Sequence, residues 1–116
     1  MQKVIIAFDS KQFNLILEKM LGSFGFEVVY AENTQQIRLF LEKKDYVLLL
    51  SDWIFNNQDM LDFLSHLEKK IKIIFISKEN DPSKIEKAIQ YGVDEYIIKP
   101  FDNDILQSKL SMIGLL

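Results

Sequence analysis

Four polar residues close apolar runs of this sequence: Asp9 after Val4–Phe8, Asp52 after Tyr46–Ser51, Ser77 at the end of Lys72–Ser77 and Lys99 at the end of Glu95–Lys99. Two carboxylates, a hydroxyl and an ammonium group suit a magnesium ion and a phosphoryl group, with the lysine as a point charge for phosphate oxygens. That chemistry requires the four to meet in space. If the runs are neighbouring strands, about 4.8 Å apart, Asp9 and Asp52 can share one cation and Lys99 can lean back along its stem. Singly, each has an ordinary reading: Asp9 with Ser10 as a helix cap, Asp52 as a turn residue, Ser77 as a cap or turn, Lys99 as a solvated strand end.

Competing chemistries lack their residues. With no cysteine there is no disulfide scaffold, thiolate zinc site or cysteine nucleophile. The single His66 lies among Ser65, Leu67 and Glu68 with no second histidine nearby, which reads as a partly exposed helix residue rather than a metal ligand. The four glycines spell neither a dinucleotide fingerprint nor a P-loop, and Gly22-Ser23-Phe24-Gly25 is no nucleophile elbow.

The positioning elements follow from hydrophobic spacing. Val4–Phe8, Glu27–Ala31, Tyr46–Ser51, Lys72–Ser77 and Glu95–Lys99 are short and rich in Val, Ile and Tyr, and read as strands. Residues 47–50 and 73–76 are apolar without alternation, as expected of parallel strands covered on both faces. Between the runs lie helical stripes: Phe13, Ile16, Leu17, Met20 and Phe24; Ile37, Phe40 and Leu41; Met60, Leu61, Leu64 and Leu67. Ile85, Ala88 and Ile89 form a fourth, and Ile105, Leu106, Leu110 and Ile113 a fifth. Asn33, Asp81 before Pro82, and Asp102 are placed as N-caps, and Gly22, Gly25 and Gly92 lie where helices should end. The alternation predicts a doubly wound α/β domain with a parallel sheet between helices. In such sheets ligands bind at the carboxyl ends of the strands, where the four polar residues fall.

Composition sets the class. A chain of 116 residues with 48% apolar residues is expected to be one domain, 1–116, with a core of its own. All but one of the 14 basic residues are lysines, the exception being Arg38, and they form no basic helix; with a net charge of −3, nucleic-acid contact is not expected. No run is long enough for a membrane span or a signal-peptide core, so a cytoplasmic protein without membrane contact is expected.

Ser51-Asp52-Trp53, then Asp59, Ser77 and Tyr96-Ile97-Ile98-Lys99-Pro100-Phe101 resemble the receiver domain of two-component response regulators, over essentially the whole chain. The resemblance implies a flavodoxin-like (βα)5 fold with strand order 2-1-3-4-5. It also implies that Asp52 accepts a phosphoryl group from a histidine kinase or phosphotransfer protein. Asp9, Asp52 and the backbone carbonyl of Ile54 would ligate Mg²⁺. Ser77 and Lys99 would contact the phosphoryl oxygens, Tyr96 would turn inward on activation, and a downstream output protein or domain would read the change.

Several positions depart from that pattern. The residue before Asp9, usually a second acid, is Phe8; the usual Pro after Asp52 is Asn56; the usual Gly after Asp59 is Met60; and the usual small residue after Ser77 is Lys78. A phosphorylation-controlled switch is the expected function. The alternative is a pseudo-receiver, an interaction module independent of phosphate. A small aspartyl-phosphate hydrolase fits less well, since Asp52-Trp53-Ile54 lacks the second acid of Asp-x-Asp. Pairing of two copies through the fourth and fifth helices stays open.

Overall fold

The computed structural model describes residues 1–68 and 71–116. Its elements are β1 (Lys3–Ala7), α1 (Lys11–Ser23), β2 (Glu27–Tyr30), α2 (Thr34–Glu42), β3 (Tyr46–Ser51), β4 (Ile54–Phe55), β5 (Gln58–Asp59), α3 (Met60–Ser65), β6 (Lys72–Ser77), α4 (Pro82–Gln90), β7 (Glu95–Ile98) and α5 (Asn103–Met112). Five strands form a parallel sheet in the order β2-β1-β3-β6-β7. This is the expected 2-1-3-4-5 order, with β4 and β5 forming a separate antiparallel hairpin.

Successive side chains of a strand point to opposite faces. Val4, Ile6, Leu48, Leu50, Ile74 and Ile76 therefore pack with Leu17 and Leu21 of α1 and Leu106 and Leu110 of α5. Ile5, Leu49, Ile73 and Phe75 pack with Ile37, Met60, Leu64 and Ala88 from α2, α3 and α4. Both faces of the central strands are buried, which is why their sequence is apolar without alternation.

Helix starts obey local chemistry. Asn33, Asp81 and Asp102 each accept a backbone N–H, from Gln36 at 2.8 Å, Ser83 at 3.0 Å and Ile105 at 2.9 Å. Ser10 caps α1 through Phe13 N–H at 3.1 Å, and Asp59 caps α3 through Asp62 N–H at 3.0 Å. Gly22 lies inside the last turn of α1. The left-handed residue that ends that helix is Gly25, at φ 91°, and Gly92, at φ 110°, does the same after α4. Three sheet strands stop one residue short of the expected runs, leaving Phe8, Ala31 and Lys99 just beyond them. His66 is the exposed C-cap of α3, with Nδ1 2.8 Å from the Asp62 carbonyl oxygen. Among the described residues no helix is long and apolar enough to cross a membrane.

Candidate functional site

Strand register sets the four polar residues at one edge. Ala7 pairs with Ser51, Ser51 with Phe75, and Ser77 with Ile98, so β1 and β3 end together, and β6 and β7 end together two residues further along the same edge. Asp9 and Asp52 follow the adjacent strands β1 and β3, Ser77 closes β6, and Lys99 follows β7.

Asp52 Oδ1 accepts the Trp53 N–H at 2.6 Å, and Asp9 Oδ1 accepts the Asn56 N–H at 2.8 Å. Among the described residues, neither carboxylate's second oxygen receives a hydrogen bond from protein. The Asn56 contact comes from the β4–β5 hairpin, whose turn holds Asn56 at φ 51° and Asn57 at φ 62°. Two consecutive left-handed residues match the twist of a two-residue hairpin, and asparagine tolerates that region better than most residues. The Met60 N–H bonds the Trp53 carbonyl at 2.8 Å, and Ile54 lies opposite Asp59. Hydrogen-bonded pairs alternate along an antiparallel ladder, so Ile54 occupies a non-bonded pair and its carbonyl faces out of the hairpin.

This donor set fits magnesium, which keeps several waters and takes one or two carboxylates from protein. Among the described residues no group of three or more acidic or histidine side chains gathers to hold a metal. Phe8, at the place of a second acid, is 5% exposed and packs edge-to-face on Phe13 with centroids 4.8 Å apart.

On the α4 side, the buried Ser77 Oγ accepts the Glu79 N–H at 3.1 Å. Tyr96 Oη donates to the Glu79 carbonyl at 2.9 Å and accepts from Trp53 Nε1 at 2.7 Å. The Tyr96 ring is 5% exposed, so it already points inward, and with Trp53 it lies against Phe75. Glu79 is tied further to Lys84 at 2.9 Å; that hydrogen bond holds its carboxyl below the ordinary range. Trp53→Phe removes one of the two Tyr96 partners and should cost about 1–2 kcal/mol, read as a lower urea midpoint. An unchanged midpoint would show that the indole N–H contributes nothing to holding the ring.

Lys99 has its own partner: its Nζ stands 3.8 Å from the Phe13 ring centroid and 5.7 Å from that of Phe8. Among the described residues no ion pair joins it to Asp52. Desolvation pushes its ammonium below the usual lysine range, the Asp52 charge acts the other way, and Lys78 adds to the lowering. Phe13 had shown only as part of the α1 stripe. The Trp53–Tyr96 bond spans 43 positions and leaves no local pattern. The Asn56-Asn57 pair was a readable turn signal, but strands of two residues carry no periodicity.

An open parallel sheet with acids, a hydroxyl and a lysine at its carboxyl edge defines a flavodoxin-like domain with its candidate site at the switch point. The response regulator receiver domain family matches residues 4–111, and the chain belongs to that family. The chemotaxis protein CheY1 of Helicobacter pylori is 29% identical over 118 residues, covering 96% of this chain and 95% of that protein. A response regulator from Thermotoga maritima superposes with a TM-score of 0.84 at 25% identity, covering 97% of each chain. The receiver domain of the sensor histidine kinase PA1611 from Pseudomonas aeruginosa, described with a magnesium ion in its active site cleft, gives 0.81 at 24% identity, covering 97% of this chain and 98% of that one. The chain is thus a receiver domain of the kind found in two-component and chemotaxis signalling.

Proposed function

We propose that the domain is a phosphorylation-controlled switch whose acceptor is Asp52. The observation that carries this reading is the shared edge of β1, β3, β6 and β7, which gathers Asp9, Asp52, Ser77 and Lys99. An Asp52 carboxylate oxygen attacks phosphorus, and the P–N bond of a kinase's or phosphotransfer protein's phosphohistidine breaks. The imidazole leaves with a proton. Asp9, Asp52 and the Ile54 carbonyl would hold Mg²⁺, whose charge would offset that developing on the phosphoryl oxygens. Ser77 gives up its contact with Glu79 to donate its hydroxyl to the phosphoryl group, and Lys99 supplies the remaining positive charge.

The output surface in this reading is α4, β7 and α5, where Ile89, Ile98 and Ile105 are exposed. Ser77 and Tyr96 connect the site to it through Glu79. One observation favours a second reading, a module that binds partners without phosphate: Tyr96 is held inward by Trp53 and Glu79 with Asp52 unmodified. Incubation with acetyl phosphate and Mg²⁺ followed by intact-mass measurement separates the two. A single phosphoryl adduct supports the switch, and its absence under conditions that modify a known receiver supports the module.

The lifetime of the adduct is a further test. Ile54 is 54% exposed, and its side chain offers no polar atom to orient an attacking water. One water-orienting group is typically worth about 10²–10⁴-fold when well placed, so Ile54→Asn should speed dephosphorylation by roughly tenfold or more at fixed Mg²⁺. A wild type that decays as fast as the variant would remove Ile54 from any protective role.

A further inference from the structure

We propose that Phe13 is a positioning residue for Lys99: its ring face holds the ammonium group on the α1 side of the site while Asp52 is unmodified, leaving that carboxylate without a direct cationic partner among the described residues. The functional half of this inference rests on Asp52 as acceptor; the positional half does not.

The geometry is a built platform. Phe8 meets Phe13 at 4.8 Å and an interplanar angle of 73°, and Phe101 meets it at 6.2 Å and 75°. Both neighbours use edge contacts, and the Lys99 Nζ stands over the ring at 3.8 Å. An aromatic face attracts a cation through its quadrupole, favouring the ring-bound position by about 3- to 30-fold according to how far the pair is desolvated. Phe13, Lys78, Lys99, Pro100 and Phe101 also line a cleft of about 540 Å³, so the lysine has space to move. Among the described residues its ammonium has no carboxylate within ion-pair distance.

Two consequences follow for an acceptor carboxylate. An ammonium group in direct contact would draw on the lone pair that must attack phosphorus. With Lys99 on the ring, the one hydrogen bond to the Asp52 carboxylate among the described residues is the Trp53 N–H. Once Asp52 becomes an acyl phosphate, which carries nearly two negative charges where the carboxylate carried one, Coulomb attraction exceeds the pull of the ring, and the long stem lets the ammonium cross over. The ring therefore makes Lys99 a partner of the product rather than of the free acid.

The test compares Phe13→Leu, which keeps an apolar side chain but no π face, with Phe13→Tyr, which keeps the face. In the unmodified, metal-free protein, the Lys99 ε-methylene protons should be displaced upfield by the ring current in the wild type and in Phe13→Tyr. In Phe13→Leu they should return toward ordinary lysine positions, with the amide spectrum otherwise folded. Equal shifts in wild type and Phe13→Leu would overturn the positional assignment. With acetyl phosphate and Mg²⁺, Phe13→Leu should load about 3- to 30-fold more slowly, Phe13→Tyr near the wild-type rate, and Phe13→Leu should add no further slowing to Lys99→Ala. An equal slowing in the Lys99→Ala background would show that Phe13 does not act through Lys99. If the wild type takes no phosphoryl group at all, the acceptor reading falls, while the ring-current comparison still decides where Phe13 holds the lysine.

Discussion

Asp52→Asn is expected to abolish the phosphoryl adduct entirely while leaving the fold intact. The amide oxygen is neutral and a poor nucleophile, and no second carboxylate stands beside it in an Asp-x-Asp arrangement. Structure should survive because an asparagine oxygen can still accept the Trp53 N–H that Asp52 Oδ1 now accepts at 2.6 Å. Removing one of two neighbouring acids also relieves like-charge repulsion, so metal-free stability should change by no more than about 1 kcal/mol. Intact mass after acetyl phosphate treatment reads the first effect and a urea titration the second. An adduct that persists in the variant, mapped to another residue, would move the acceptor away from the end of β3.

Phe8→Asp is expected to tighten Mg²⁺ binding by roughly 10–100-fold, the size of effect associated with groups that support a metal's direct ligands. In the same variant the metal-free protein should lose about 3–5 kcal/mol, because a side chain only 5% exposed is exchanged for a charged one. The loss has three sources: packing against Phe13, desolvation of the new carboxylate, and its repulsion of Asp9. Stability should therefore become strongly dependent on Mg²⁺ in the variant, since a ligand bound only by the folded state shifts the equilibrium by mass action. Isothermal titration and urea unfolding with and without the metal measure both sides. Unchanged affinity would remove the β1 end from the cation site.

The fold was legible because each of its rules leaves a mark in sequence. Strands such as β3 and β6, buried on both faces, show as unbroken apolar runs, and Asn33, Asp81 and Asp102 mark helix starts because unpaired backbone N–H groups need an acceptor. Gly22 misled because glycine is also tolerated inside a last turn, and the decisive left-handed residue is Gly25. The site was legible in its positions and illegible in its side-chain directions. Register places Lys99 near Asp52, but whether an ammonium chooses a carboxylate or a ring depends on Phe13, whose spacing reads equally well as helix core. Likewise Tyr96 reads as a strand tyrosine, and its inward position is fixed by Trp53 and by the Glu79 carbonyl, contacts formed only after β3, β6 and β7 assemble.

The β4–β5 hairpin bears on how the proposed cation site would work with one acid fewer. Its turn and the Asp9–Asn56 bond fix the segment after Asp52 before any ligand arrives. Ordering a backbone residue costs on the order of 1–2 kcal/mol, so a preset segment spares an arriving ion several such terms. In the proposed site, rigidity would stand in for charge. Affinity drawn from a rigid frame rather than from a third carboxylate depends less on long-range attraction, and salt, which screens attraction but not shape, leaves more of it intact.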